Sequence, residues 1–433
     1  MESGSHKEAK NWLQRLKDES WEAELLVSAV AIFGTFQLFD GINWITNFFI
    51  NTVNPNQYFV AYFICFFGLI AVSALAAMFV IHFFLRAYWV GLVGLNSVFP
   101  DYSLEDSAYS KIYTEKILSI LPKLKDSIQK VDELCSVIFS IAFTFLLLYG
   151  YIAFFSSLYL LIYNMLSEYI NSYILMVPAI FIGLSLFVQI IISVIANLKK
   201  NQEKEKLQLL SFKVVKFVSM ISFGPIYKSI LQVTMIFGSN FKKKKSLVYL
   251  IFVFLISAML VAVIQLPKTN ILYLVRNRVA ANYDIHKTYA DYYKDSNRQI
   301  EFLLSPEIES DFIERNTLEV FIPIFDYESS MRDVVCGTFE EISSNSRKEK
   351  SKNRAIYLEE CYKKYHKVFL NEEKIEVTFL RYNNHYRTNQ FGIIAFIDIS
   401  KLPVGLNALK IEKINGEGAF LKWNIPFYYA PKN

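Results

Sequence analysis

From residue 25 to residue 266 the chain alternates long apolar runs, uncharged except for Asp40 in the first, with polar, lysine-bearing segments and short links. After Pro267 it changes to short runs of alternating polarity set between turn residues. A bilayer core about 30 Å thick takes roughly 20 apolar residues of helix. The runs at 25–50, 58–85, 134–165, 173–198 and 247–266 reach that length, which predicts an α-helical membrane bundle of five spans. Asp40-Gly41 reads as a turn near the outer end of the first run. The stretch 87–99 is too short to cross and is expected at the interface or against the bundle. Residues 212–241 are apolar but carry Lys213, Lys216 and Lys228 around Gly224-Pro225. They predict two amphipathic interfacial helices broken at the Gly-Pro. A crossing there would instead give six spans and a cytoplasmic tail.

The polar segments fix an orientation. Lys242, Lys243, Lys244 and Lys245 run directly into the uncharged residues 246–267. Every other Lys and Arg before that point falls in the head 1–24 or in the loops 86–133 and 199–245, and the short loops 51–57 and 166–172 hold none. Basic residues stay on the cytoplasmic side. The N-terminus is therefore expected inside and residues 267–433 outside, as in a multi-pass protein of a bacterial inner membrane with a periplasmic domain. Anionic inner-leaflet lipids attract such lysines, but setting the topology is enough to explain the cluster.

Beyond Pro267, strands are expected at 299–304, 318–325, 374–380, 392–399, 408–414 and 420–425, with a helix at 355–365. The hydrophilic run 343–354, with five basic residues and Glu349 as its one acidic residue, reads as a solvated loop. Several strands and one helix suggest a mostly-β domain, an immunoglobulin-like β-sandwich. The turn Leu402-Pro403-Val404-Gly405 would join 393–399 to 408–414 as a hairpin-like pair. It resembles the closing strands of bacterial immunoglobulin-like modules. With Phe321-Ile322-Pro323, the Cys336/Cys361 pair and Ile425-Pro426-Phe427, the chain resembles an uncharacterised group of bacterial multi-pass membrane proteins. That resemblance implies an architecture and no activity.

Composition sharpens this outline. The chain is 53% hydrophobic with 38 Phe and 27 Tyr, and its net charge of +5 is too small to argue for nucleic acid. Of four cysteines, Cys65 and Cys135 fall in or beside spans. Cys336 and Cys361 fall in the outer domain, where an oxidising compartment favours a disulfide and a cytoplasmic tail would leave two thiols. Asp40 is the one carboxylate well inside a span, and such a group is costly enough to suggest function unless water reaches it. His82 and Arg86 share one helix face, within reach of Glu22 or Glu24, and could line a proton or ion path or simply fix helix ends. The Tyr-rich run 283–293 is a ligand-stacking surface, or sits at the membrane interface or covers the domain base. Histidine and cysteine spacings match no metal site, and no phosphate-binding, dinucleotide or nucleophile-elbow motif is present, so no cofactor is expected. The function expected is non-enzymatic: a membrane-anchored interaction or sensor module whose outer domain meets a protein partner. The alternative is a channel or transporter using Asp40 and the His82/Arg86 face.

Overall fold

In a computed structural model the described residues are 2–99, 108–167, 169–240, 244–275, 284, 287–296, 301–337, 339, 347–414 and 420–432. The chain divides into two compact units. One is Met1–Ile42 with Ile64–Lys268, and the other is Asn43–Phe63 with Thr269–Asn433.

The helical unit is built from α1 (Glu2–Thr52), α2 (Tyr58–Val98), α3 (Lys111–Ile120), α4 (Leu124–Leu166), α5 (Ser172–Asn197), α6 (Glu205–Phe223), α7 (Tyr227–Asn240) and α8 (Lys244–Gln265). Five stretches among the described residues are long and apolar enough to cross a membrane: Trp21–Thr52, Pro55–Val98, Lys111–Leu166, Tyr173–Asn197 and Glu205–Ile236. Four of them cover runs expected from the sequence, the fourth ending one residue short of 198. The fifth covers α6 and α7, whereas the run expected at 247–266 forms α8, of which the described apolar part is the shorter Phe252–Lys268. Gly224 at φ 49° breaks α6 from α7 beside the Tyr151 hydroxyl, so the Gly-Pro marks a break as read.

Helix α2 is the hub. Its apolar window is 61% buried, against 6% for α5. Ala71, Ser73, Ala74, Ala76 and Ala77 are all buried, and such small residues let neighbouring backbones approach closely. Leu75, Met78 and Phe79 pack there with Ile138 and Ala142 of α4 and Phe254 of α8.

One expectation fails in this unit. Asp40-Gly41 is not a turn, because α1 runs unbroken through it. Asp and Gly cost a helix under about 1 kcal/mol each, while buried Phe39, Ile42, Thr46 and Phe49 hold one face down on both sides of them. The stretch 87–99, expected at the interface or against the bundle, is helical as far as Val98 and continuous with the second apolar run. α2 continues through Arg86 to Val98, since no Gly-Pro breaker intervenes and Arg86 finds its partners inside the unit.

The β unit holds two sheets. β1 (Glu307–Ile308), β3 (Thr317–Pro323), β7 (Gly392–Asp398) and β6 (Leu380–Tyr382) form one in that order. β2 (Phe312–Ile313), β9 (Phe420–Tyr429), β8 (Gly405–Ile414), β4 (His366–Leu370) and β5 (Glu373–Ile375) form the other. Helices α9 (Glu328–Cys336) and α10 (Arg347–Tyr365) lie between β3 and β4 in sequence. Alternation places Leu421, Trp423, Ile425, Phe427 and Tyr429 of β9 inward, in one core with Leu318, Val320 and Ile322 of β3 and Ile393, Ala395 and Ile397 of β7. Each fully buried aliphatic or aromatic side chain there contributes about 1.5–3 kcal/mol. Gly392 is required, since a Cβ there would lie 2.5 Å from the Ile322 carbonyl oxygen.

Four local expectations are corrected here. Residues 393–399 and 408–414 do not pair: β7 and β8 belong to different sheets, and the chain between them crosses from one to the other because both inner faces feed the same core. The run 374–380 is not one strand. Asn371 and Glu372, both at positive φ, turn β4 back into β5, and β6 begins only at Leu380. Residues 301–304 form no strand, and Gln299 and Ile300 lie outside the described residues. The expected loop 343–354 is helical from Arg347 onward, because Lys, Arg and Glu are good helix formers and Cys361 anchors α10 to α9; residues 343–346 lie outside the described residues. Strands β1, β2 and β4 and helix α9 were not anticipated.

Candidate functional site

Three helices of the helical unit converge on Arg86. Glu24 and Ser28 sit one turn apart on α1, His82 and Arg86 one turn apart on α2, and Asp132 stands early in α4. Arg86, only 1% exposed, donates through Nη1 to Asp132 at 2.6 Å and through Nη2 to Glu24. Its guanidinium lies 5.0 Å from the Trp89 ring centroid. Ser28 Oγ donates to the Glu24 carbonyl at 2.7 Å and stands 2.6 Å from His82 Nδ1. With the hydroxyl hydrogen spent on the carbonyl, Nδ1 must carry the ring proton, leaving Nε2 turned to the Glu24 carboxylate at 3.8 Å. A fully enclosed guanidinium with a carboxylate on each side acts as a clamp between helices. Removing one partner of such a pair is expensive.

The remaining sequence candidates do not join this cluster. Asp40 is exposed on α1, sixteen residues past Glu24 and hence about 24 Å along the helix. Lys242 and Lys243 lie outside the described residues; for Lys244 and Lys245 only helical backbone is described. Of the tyrosine run, Tyr283 lies outside the described residues, while Tyr292 and Tyr293 are buried in the β core. Cys336 and Cys361 are joined by a disulfide with Cα atoms 5.3 Å apart. No group of three His, Cys, Asp or Glu among the described residues is arranged to hold a metal ion.

The β unit contains a cleft of about 430 Å³, a size usual for small-molecule sites. Helices α9 and α10, β6 and the start of β4 bound it, and Arg332, Arg354 and Arg381 line it. Beneath it, Glu328 and Lys413, each 6% exposed, form an ion pair at 2.6 Å, and Lys413 also donates to the Pro323 carbonyl at 2.9 Å. Burial raises the Glu328 carboxyl above its usual range, with Lys413 pulling the other way. His366, also in the lining, is lowered to about 3 by burial and by the charge on Lys413, so it is neutral.

The start of α9 is tied to the end of α1 within the same unit. Asn51 Nδ2 donates to Asp326 Oδ2 at 2.6 Å, and Tyr327 N–H donates to the Asn51 carbonyl at 3.1 Å. The rings of Tyr58 and Tyr327 meet edge-on, with Tyr273 packed against Tyr58. Sequence reasoning missed both the cleft and this tether. Nothing local marks Arg332, Arg354 and Arg381 as neighbours, since they come from three elements. The usable signal was the Cys336/Cys361 pair, which lies at i+4 from Arg332 and i−4 from Tyr365.

Compared with known proteins, the chain matches no family model, no curated protein and no solved structure.

Proposed function

We propose that the protein is a non-enzymatic, membrane-anchored sensor or interaction module whose β unit binds a ligand or partner outside the cytoplasm. The observation that carries this reading is the tether. Asp326 and Tyr327, which lead into one wall of a ligand-sized cleft, are hydrogen-bonded to Asn51 in the last turn of α1, where the chain leaves the first apolar helix for the second. Occupancy of the cleft thereby acts on the end of α1.

The membrane reading is supported by α5, whose large apolar side chains from Ile174 to Val194 are mostly uncovered. Surfaces of that extent are unusual for a soluble monomer. For the orientation we infer the bacterial inner membrane, with the N-terminus cytoplasmic, α8 as the fifth span and the β unit periplasmic. Exposed Lys213, Lys216 and Lys228 favour α6 and α7 lying along the inner surface among anionic lipids. The disulfide favours an oxidising compartment for the β unit. Two sheets sharing one core support a sandwich for that unit, with an immunoglobulin-like order as the finer proposal.

Photo-cross-linkers at the exposed positions Tyr386 and Leu406 should capture one discrete protein in intact cells. Capture of lipid alone would count against the reading. The rival, a channel or transporter using Asp40, His82 and Arg86, draws on the buried His82 facing Glu24 at 3.8 Å, and a flux assay decides it.

A further inference from the structure

We propose that the cleft between α9 and α10 binds a small organic oxyanion that also carries hydroxyl groups: a hydroxycarboxylate or a phosphorylated polyol. The inference rests on the binding reading above and adds the ligand class.

Arg332, Arg354 and Arg381 enter the lining from α9, α10 and β6, and none has an ion-pair partner among the described residues. Two carboxylates share the lining. Glu328 is neutralised by Lys413, and Asp326 is held by Asn51. A surplus of positive charge remains, in the side chain best suited to carboxylate and phosphate because its planar fork binds either in bidentate fashion.

Two buried polar atoms in the lining have unmet hydrogen-bonding capacity. His366 is 3% exposed, and its Nδ1 lies 3.1 Å from the Tyr362 carbonyl, which only accepts. Nδ1 therefore holds the proton and Nε2 presents a lone pair. That lone pair and the Tyr365 hydroxyl are both buried without a hydrogen-bond partner, and both rings line the cleft. A buried polar atom without a partner is costly. An ionised carboxylate alone brings no donor for Nε2, whereas a ligand hydroxyl does, and it also accepts from Tyr365. Ile324, Phe325, Leu358 and Phe391 supply an apolar surface for a carbon skeleton.

The two helical walls are also cross-linked. On α10, Arg354, Leu358, Cys361 and Tyr365 recur at helical spacing on one face, and on α9 Arg332 lies one turn before Cys336. The Cys336–Cys361 bond thus joins the two faces that carry the ligand groups and fixes their separation.

Full-length oxidised protein in detergent micelles is titrated calorimetrically with glycerol 3-phosphate, glycerate, inorganic phosphate and glycerol, while amide exchange is followed across α9 and α10. One or both organic anions should bind and protect α9 and α10, roughly tenfold tighter than inorganic phosphate, with no binding of glycerol. The tighter of the two separates a phosphate from a carboxylate ligand. Arg332→Gln and Arg381→Gln should each weaken binding roughly tenfold without changing exchange in β8 and β9, and disulfide reduction should weaken it as well. Glycerol binding as tightly as the anions, anion binding indifferent to both substitutions, or no protection by any anion would overturn the proposal. Those failures leave the binding-module reading to the cross-linking result, which uses neither these probes nor these residues.

Discussion

Replacing Lys413 by Met tests how the β unit is held together beneath its cleft. Met keeps the length and apolar stem of the side chain and removes the charge. It leaves the Glu328 carboxylate, 6% exposed, with the Phe325 N–H as its other hydrogen bond, and it strips a donor from the Pro323 carbonyl. Breaking one side of a buried pair costs about 3–5 kcal/mol. The expected loss at pH 8 is of that size, read as the opening free energy of β8 and β9 amides in micelle-embedded protein.

The pH dependence gives the argument its sign. Burial already raises the Glu328 pKa above its unfolded value, and Lys413 opposes that rise. Without Lys413 the folded pKa climbs further. A group whose folded pKa is raised contributes most below its unfolded pKa and loses that contribution as pH rises through the folded one. The Lys413→Met variant should therefore recover stability on acidification. By pH 5 its deficit should shrink toward the about 1–3 kcal/mol of an unpaired Pro323 carbonyl. The double variant Lys413→Met with Glu328→Gln should regain most of the loss at pH 8. A deficit independent of pH, or a double variant no better than the single one, would refute the enclosed-pair account.

Other expectations follow from the same reasoning. His385, 2% exposed and lowered to about 4 by burial and the charge on Lys294, stabilises the β unit above pH 6.5 and withdraws that support as pH falls toward 4. The integrated effect is about 3 kcal/mol, and His385→Asn should flatten the acid limb of an unfolding-versus-pH curve. Arg86→Met leaves Glu24 and Asp132 facing each other and should cost about 3–5 kcal/mol. Labelling of Cys135, buried beside Arg86, reports that opening as a rise in rate, and no rise would contradict the clamp. Asp40→Asn should leave ion flux into liposomes unchanged, because Asp40 is exposed and remote from the Arg86 cluster; abolished flux would revive the transport reading. In folded, unreduced protein, Cys336 and Cys361 should resist a thiol reagent and react after reduction, whereas labelling without reduction would remove the disulfide and the oxidising location with it.

Long-range periodicity carried much of this architecture in plain view. A run of about 20 apolar residues has one efficient way to satisfy its backbone, so α1, α2, α4, α5 and α8 were readable before any contact was known. The inward side chains of β9 alternate as the run at 420–425 implied, and the break between α6 and α7 falls at Gly224-Pro225. The breakers that misled were weak ones. Asp40-Gly41 bends nothing because packing on both sides outweighs a small propensity cost, and the basic run before Ala355 forms helix because a covalent bond and good helix formers outweigh its solvation.

Tertiary structure decided whatever depends on residues far apart in sequence. It sent β7 and β8 to different sheets, since the turn between them satisfies either arrangement and only the shared core selects one. It brought Asp132 to Arg86 across 46 positions and Asn51 to Asp326 across 275. It also gathered three arginines from α9, α10 and β6 around one cleft. Local free energy is written in neighbouring side chains and can be read along the chain. The partners of a buried charge are chosen by the fold as a whole, because the penalty for leaving that charge unpaired exists only after folding has excluded water from it.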